Sequence, residues 1–204
     1  VAGTIDIGSN PTKTYLFDSS SGTTVLVSRA AGTTAQATFN GQSSIAQLSA
    51  DGAYVTFKSS GWDLQPGPFD LNESDDVFQF NRVAGTNALV SRSAAGSGGF
   101  TAADSYYATN SQGLSADGRY VVLNSRSRNL VPGQVTSDGW HVYRWDQTTG
   151  LIILINRAVG STTTSGNALA ESPRMSADGR YIAYVSGASN LVAGQADSAG
   201  TSDI

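Results

Sequence analysis

Carboxylates grouped along single loops are the first side chains in this sequence that could do chemistry. The stretches DLNESDD (70–76) and DSAGTSD (197–203) each hold two aspartates six residues apart, with Asn72 between them in the first. Hard oxygen ligands so close together can wrap a calcium ion. Asp70, Asn72, Asp76, Asp197 and Asp203 are therefore candidate Ca2+ ligands, and calcium is the one cofactor suggested, though none is required. The matching stretch VTSDGWH (135–141) has lost both end aspartates and carries the lone histidine, His141, where the other two have Asp76 and Asp203. There is no cysteine, no second histidine and no serine in a Gly-x-Ser-x-Gly elbow. Hydrolase triads, thiol nucleophiles and histidine metal centres are thus unsupported, and the chain reads as non-catalytic.

Aromatic side chains supply the other candidate site. Trp62, Tyr106, Tyr107 and Trp140 fall in long connecting segments, as do Phe39, Phe69 and Phe100. Such residues can stack on a sugar ring or anchor a protein partner, and they can equally pin a loop to its own domain. Arg29, Arg92 and Arg157 recur at matching positions, which points to one structural contact made three times, with a carboxylate of the adjoining repeat as its expected partner.

What must position these residues is a threefold repeat. SADGAYVTFKSSGWDLQPG (49–67) returns as SADGRYVVLNSRSRNLVPG (115–133) and SADGRYIAYVSGASNLVAG (176–194). YLFDSSSGTTVLVSR (15–29), FQFNRVAGTNALVSR (78–92) and YRWDQTTGLIILINR (143–157) also align position for position. Periods above about 20 residues mark arrays in which each unit buries its face against a neighbour. The units run approximately 13–75, 76–140 and 141–203 within a single β-propeller region spanning 1–204.

Each unit predicts four short strands, A to D. Residues before SADG form A, and the Asp-Gly pairs at 51–52, 117–118 and 178–179 form a tight A–B turn in which glycine supplies positive φ. Strand B (YVTFK, YVVLN, YIAYV) is apolar on both faces, as a strand between two neighbouring sheets should be. Strand C alternates: Tyr15/Phe17, Phe78/Phe80 and Tyr143/Trp145 point one way and Leu16, Gln79 and Arg144 the other, so one buried face is expected. Strand D (TVLVS, NALVS, IILIN) is rich in β-branched residues. The fold class is all-β, a β-propeller of four-stranded antiparallel blades with about three units present.

The motifs SADGRYIAYVS and DDVFQFN resemble the TolB-like β-propeller repeat, a Ser-x-Asp-Gly-[Arg/Lys] turn, an apolar strand and then an Asp-Ile/Val-Tyr-like strand. The resemblance covers nearly all of 13–204 and implies a propeller of the kind found in bacterial exported proteins. This unit is longer than the family's, with added residues between B and C and between D and A. In an antiparallel blade the A–B and C–D turns share one side of the disc. The long loops share the other, where a local function is expected.

The chain opens at strand C and closes as the next strand C would begin, and three blades cannot close a ring. Either it is the ordered part of a longer polypeptide, or two chains exchange half-blades to make six, each A–B pair completing the partner's C–D pair. Exposed strand edges are a liability that favours the first. Among 204 residues, 12 Lys and Arg stand against 16 Asp and Glu, giving a net charge of −4 with no basic run, so nucleic acid is not an expected partner. No apolar stretch approaches the length of a membrane span. With only two lysines and much Gly, Ser, Thr, Ala and Asn, the surface reads as exported, periplasmic or extracellular. The expected role is a protein-interaction or surface scaffold, self-association included. The alternatives are a glycan-binding module and the propeller portion of a larger enzyme, as in prolyl-oligopeptidase-like peptidases.

Overall fold

The computed structural model describes residues 12–38, 41–66, 74–94 and 110–195. Among them the chain forms twelve strands and no helix. Strands β3 (Ser43–Leu48), β4 (Tyr54–Ser59), β5 (Asp76–Asn81) and β6 (Thr86–Leu89) make one four-stranded antiparallel blade in that spatial order. Strands β7 (Asn110–Leu114), β8 (Tyr120–Ser125), β9 (His141–Asp146) and β10 (Ile152–Leu154) make a second. Two half-blades flank them: β1 (Tyr15–Asp18) with β2 (Thr23–Leu26), a C–D pair, and β11 (Ala170–Met175) with β12 (Ile182–Ser186), an A–B pair.

The SADG motif builds the A–B turn and also joins the blades. Ser115 Oγ accepts the Tyr120 N–H at 2.8 Å and donates to Asp117 Oδ1 at 2.6 Å, which in turn accepts the Arg119 N–H at 3.0 Å. These bonds favour the ionised carboxylate and hold Asp117 below the usual range, the Ser115 hydroxyl contributing most. Gly118 closes the turn at φ +75°, a conformation that costs other residues energy. The same bonds recur at 49–54 and 176–181. The alanine inside the motif then links one blade to the next: Ala50 N–H donates to Ala116 O at 2.9 Å, and Ala116 N–H to Ala177 O at 2.7 Å.

Between the blades lie three apolar cores, so the units stack in chain order. Leu16, Val25 and Val27 of the first half-blade meet Val55, Phe57, Phe78 and Phe80. Val77 and Val90 on the far face of that blade meet Val121, Leu123, Tyr143 and Trp145. Val122, Val142 and Ile155 meet Ala170, Met175, Ile182 and Tyr184 of the last half-blade. Apolar area removed from water, at about 25 cal/mol per Å2, is the main force holding such a stack together.

Two expectations need correction. Strand C was expected to bury one face, yet in β5 the opposite face is buried as well. Gln79 is only 3% exposed because its Nε2–H donates to the Gly118 carbonyl of the next blade at 2.7 Å. Two of the three recurring arginines, Arg29 and Arg92, cross from blade to blade while Arg157 is exposed, and the partner is a main-chain carbonyl, not a carboxylate. Arg29 donates to Gly85 O and Arg92 to Gly150 O, each at the next C–D turn, and the Arg29 guanidinium lies 5.0 Å from the Phe80 ring centroid.

Candidate functional site

The loop face begins where each strand B ends. A buried small residue (Gly61, Ser127 or Ala188) is followed by an outward-facing position, held by Trp62, Arg128 and Ser189 in turn, and then by Asp63, Asn129 or Asn190. The main-chain carbonyl of that last residue accepts an amide from the preceding D–A loop: Ala31 N–H to Asp63 O at 2.8 Å, Ala94 N–H to Asn129 O at 2.7 Å, and Val159 N–H to Asn190 O at 2.9 Å. Leu64 and Leu130 come next and are buried under the loops. Gln134 then folds back, its Nε2–H donating to Ser127 O at 2.7 Å, and Gln195 repeats the bond to Ala188 O at 2.9 Å. The long loops are thus themselves repeated structure, anchored to one another across blades.

Trp62 is 38% exposed on this anchored frame, the second blade offering Arg128 at the equivalent place in an exposed ion pair with Asp138. Trp140 is half-buried, and its carbonyl accepts the Ala170 N–H at 2.8 Å, so it serves the joint to the last half-blade. The two tryptophans stand in the B–C loops of consecutive blades. Tyr106 and Tyr107, with Phe39, Phe69 and Phe100, lie outside the described residues.

Of the five candidate calcium ligands, Asp70, Asn72, Asp197 and Asp203 lie outside the described residues. Asp76 is described, and it is 1% exposed at the start of β5, where its carboxylate accepts the Ser91 hydroxyl. Ser91 Oγ also accepts the Val77 N–H at 3.0 Å. Asp76 therefore belongs to a buried strand latch. Among the described residues no group of three or more His, Asp or Glu side chains is placed to hold a metal ion.

His141 occupies the same latch in the second blade and is fully buried. A carbonyl can only accept, so the Nε2–H donates to Ser137 O at 3.0 Å, leaving Nδ1 to accept from Asn156 Nδ2 at 3.0 Å. Asn156 Oδ1 closes the set by accepting the Val142 N–H at 2.9 Å. Burial lowers the imidazole pKa, and the ring is neutral with both nitrogens engaged. It has no lone pair or proton to offer a substrate or a metal.

Among the described residues Asp146, which the sequence did not single out, is held by a two-point arginine grip. Arg119 grips it with Nε to Oδ1 at 3.0 Å and Nη2 to Oδ2 at 2.8 Å, and this pairing brings its pKa down to about 2. Also missed was the latch formed by Ser28, Ser91 and Asn156, which take the amides of Thr14, Val77 and Val142. The signal was available, because those three residues align in the repeat.

No family profile matches the sequence, and no curated protein matches it. Among solved structures the chain is similar to TolB from Acinetobacter baumannii, at 17% sequence identity and a TM-score of 0.41, over 91% of this chain and 38% of that one.

Proposed function

We propose that this chain is a non-catalytic, exported β-propeller scaffold that binds a protein partner through its B–C loop face. The observation that carries the reading is Trp62: a solvent-exposed indole on a hydrogen-bonded loop frame is a pre-ordered anchor that loses little entropy on binding. The other groups to which chemistry could be ascribed serve the fold instead, His141 and Asp76 in the latches and Asp117 in its turn. Export is inferred from the lysine-poor, Ser/Thr/Gly/Ala-rich composition.

Cross-linked pull-down from the native envelope or medium tests the proposal. A partner should be recovered with the parent chain and lost with Trp62→Ala, at an unchanged melting midpoint. Recovery of the chain alone, or the same partner with both forms, overturns it. The exposed indole also favours a second reading, a glycan platform. An array in which parent and Trp62→Ala chains both fail to bind ends that one.

A further inference from the structure

At its latch the second blade has an asparagine where the other two copies have a serine, and the exchange has a directional consequence. The hydroxyls of Ser28 and Ser91 take the amides of Thr14 and Val77. A hydroxyl can turn its proton aside and accept from a second donor as well. Asn156 has no such freedom. The Val142 N–H, at 2.9 Å, needs an acceptor, so Oδ1 faces it and the Nδ2–H faces His141 Nδ1 at 3.0 Å. The other ring nitrogen donates to Ser137 O at 3.0 Å. The bonds from Val142 through Asn156 and His141 to Ser137 all run one way, and they require a neutral ring.

A proton on Nδ1 would point at the Nδ2–H of Asn156 inside a fully buried site. Turning the amide over only moves the clash, because the Nδ2–H would then meet the Val142 N–H. Among the described residues no carboxylate bonds the ring. The charged groups on the elements around it are Arg126, Arg128 and Asp138 of the B–C loop, Arg157 after Asn156, and Glu171 at the start of β11. Arg128 opposes the imidazolium, Asp138 is taken by Arg128 in their exposed pair, and Arg157 and Glu171 are exposed. Arg92 of the preceding blade is turned to Gly150 O, and Arg144 and Asp146 of β9 meet Gly179 and Arg119 at the far turn. The charged ring is better placed in water.

Two loops hang on these side chains. Ser137 N–H donates to Ser165 Oγ at 3.1 Å, Ser165 N–H to Val135 O at 2.9 Å, and Gly166 N–H to Asn156 O at 2.8 Å. We propose that His141 is an acid-operated latch on the loop face: a proton taken up at Nδ1 drives the ring out to water and releases residues 135–141 and 163–166 from the strand ends, while the serine latch of the first blade stays shut. The released ring takes a proton near the ordinary 6.5 and the buried ring only at lower pH, so acid raises the open fraction by up to about tenfold per pH unit. Asp138 rides on the released segment. Opening parts it from Arg128 and changes the charge that the second blade presents, on the face where Trp62 stands in the first. The device does not depend on what that face binds.

Amide hydrogen exchange on the parent chain, corrected for intrinsic rates, reads the latch directly. Between pH 7.5 and 5.5 the protection of Ser137, Val142 and Gly166 should fall roughly five- to tenfold, while Val77 keeps its own. His141→Gln retains a donor for Ser137 O and an acceptor for Asn156 but takes no proton, and its protection should stay level over that range. Asn156→Ser restores the hydroxyl of the other copies, which can accept from an Nδ1–H; the fall should shrink and the His141 titration should move up toward 6.5. This second variant decides the matter even where the glutamine does not fold. Protection in the parent that ignores pH, a fall that His141→Gln shares, or an equal fall at Val77, the mark of global unfolding, overturns the proposal, as does an Asn156→Ser chain that responds like the parent.

Discussion

Replacing Gly118 by alanine separates the two demands that the SADG glycine meets. One is the left-handed backbone, φ +75°, and the other is the tyrosine ring of the preceding blade, since a Cβ here would lie 2.6 Å from Tyr54 Cγ. Gly160 provides a matched reference, with φ +76° and nothing within 4 Å of its Cβ. Gly160→Ala should therefore cost only the backbone term, about 1–2 kcal/mol. Gly118→Ala carries the same term plus the displacement of a packed ring, about 1–3 kcal/mol more. A double-mutant cycle with Tyr54→Ala isolates the second part. In the Tyr54→Ala background the Gly118 substitution should fall back to the Gly160 value, a coupling of about 1–3 kcal/mol. Urea unfolding followed by far-ultraviolet circular dichroism, at one fixed protein concentration, measures all of these. If Gly118→Ala costs no more than Gly160→Ala, or costs the same with and without Tyr54, the ring is not a blade joint and the stacking argument fails.

Three further outcomes are expected. Arg29→Ala removes a charged hydrogen bond to Gly85 O and the stacking on Phe80, and should lower stability by about 2–3 kcal/mol in the same unfolding assay; a change under about 0.5 kcal/mol, the size usual for an uninvolved surface site, would show the contact to be idle. Asp146 has a folded pKa of about 2 against an ordinary 3.8, so its contribution is complete above pH 4 and drains away as the pH falls toward 2. Asp146→Asn should flatten the melting midpoint over that window, and parallel slopes for the two proteins would refute the pairing. His141 has its pKa lowered by burial, so 15N NMR should show the neutral Nε2–H tautomer at pH 7 and titration below 6.5. Because the unfolded imidazole takes the proton first, stability falls with pH below 6.5, and a titration midpoint above 6.5 would contradict the latch.

Local chemistry at fixed offsets was legible in the sequence. The Asp-Gly and C–D turns sit where glycine and aspartate put them, and the strand order A to D follows from turn spacing alone. Partners across blades were less so. The arginines were read as inter-blade contacts, but whether the acceptor is a carboxylate or a carbonyl depends on which turn atoms face the groove, and the groove exists only after stacking. Gln79 looked solvent-facing because alternation reports one sheet, whereas β5 is covered from both sides. Asp76 looked like a loop ligand because a strand boundary one residue away from a loop leaves no mark in composition. Its burial is set by Ser91, fifteen residues on. Both Trp62 and Trp140 were legible as loop aromatics, but not that Trp62 would be 38% exposed while Trp140, in the next B–C loop, is half-buried with its main-chain carbonyl taking the Ala170 N–H.

Equivalent positions on a repeated frame show where the blades are free to differ. The buried small residue, the carbonyl that takes the D–A loop amide and the leucine beneath recur at 61–64, 127–130 and 188–191, so the backbone there is the same structure three times. Between them, one outward position holds an indole, a guanidinium and a hydroxyl in Trp62, Arg128 and Ser189. Packing does not dictate these three, because an identical frame accepts an apolar, a charged and a small polar side chain. The latch position behaves differently. Lys13, Asp76 and His141 also differ, and only His141 brings a change in the latch residue, asparagine standing at 156 where the other two copies have serine at 28 and 91. Paired changes of that kind preserve a structure. At 62, 128 and 189 the frame is kept while the outward side chain changes, so these positions alter what the loop face presents to solvent.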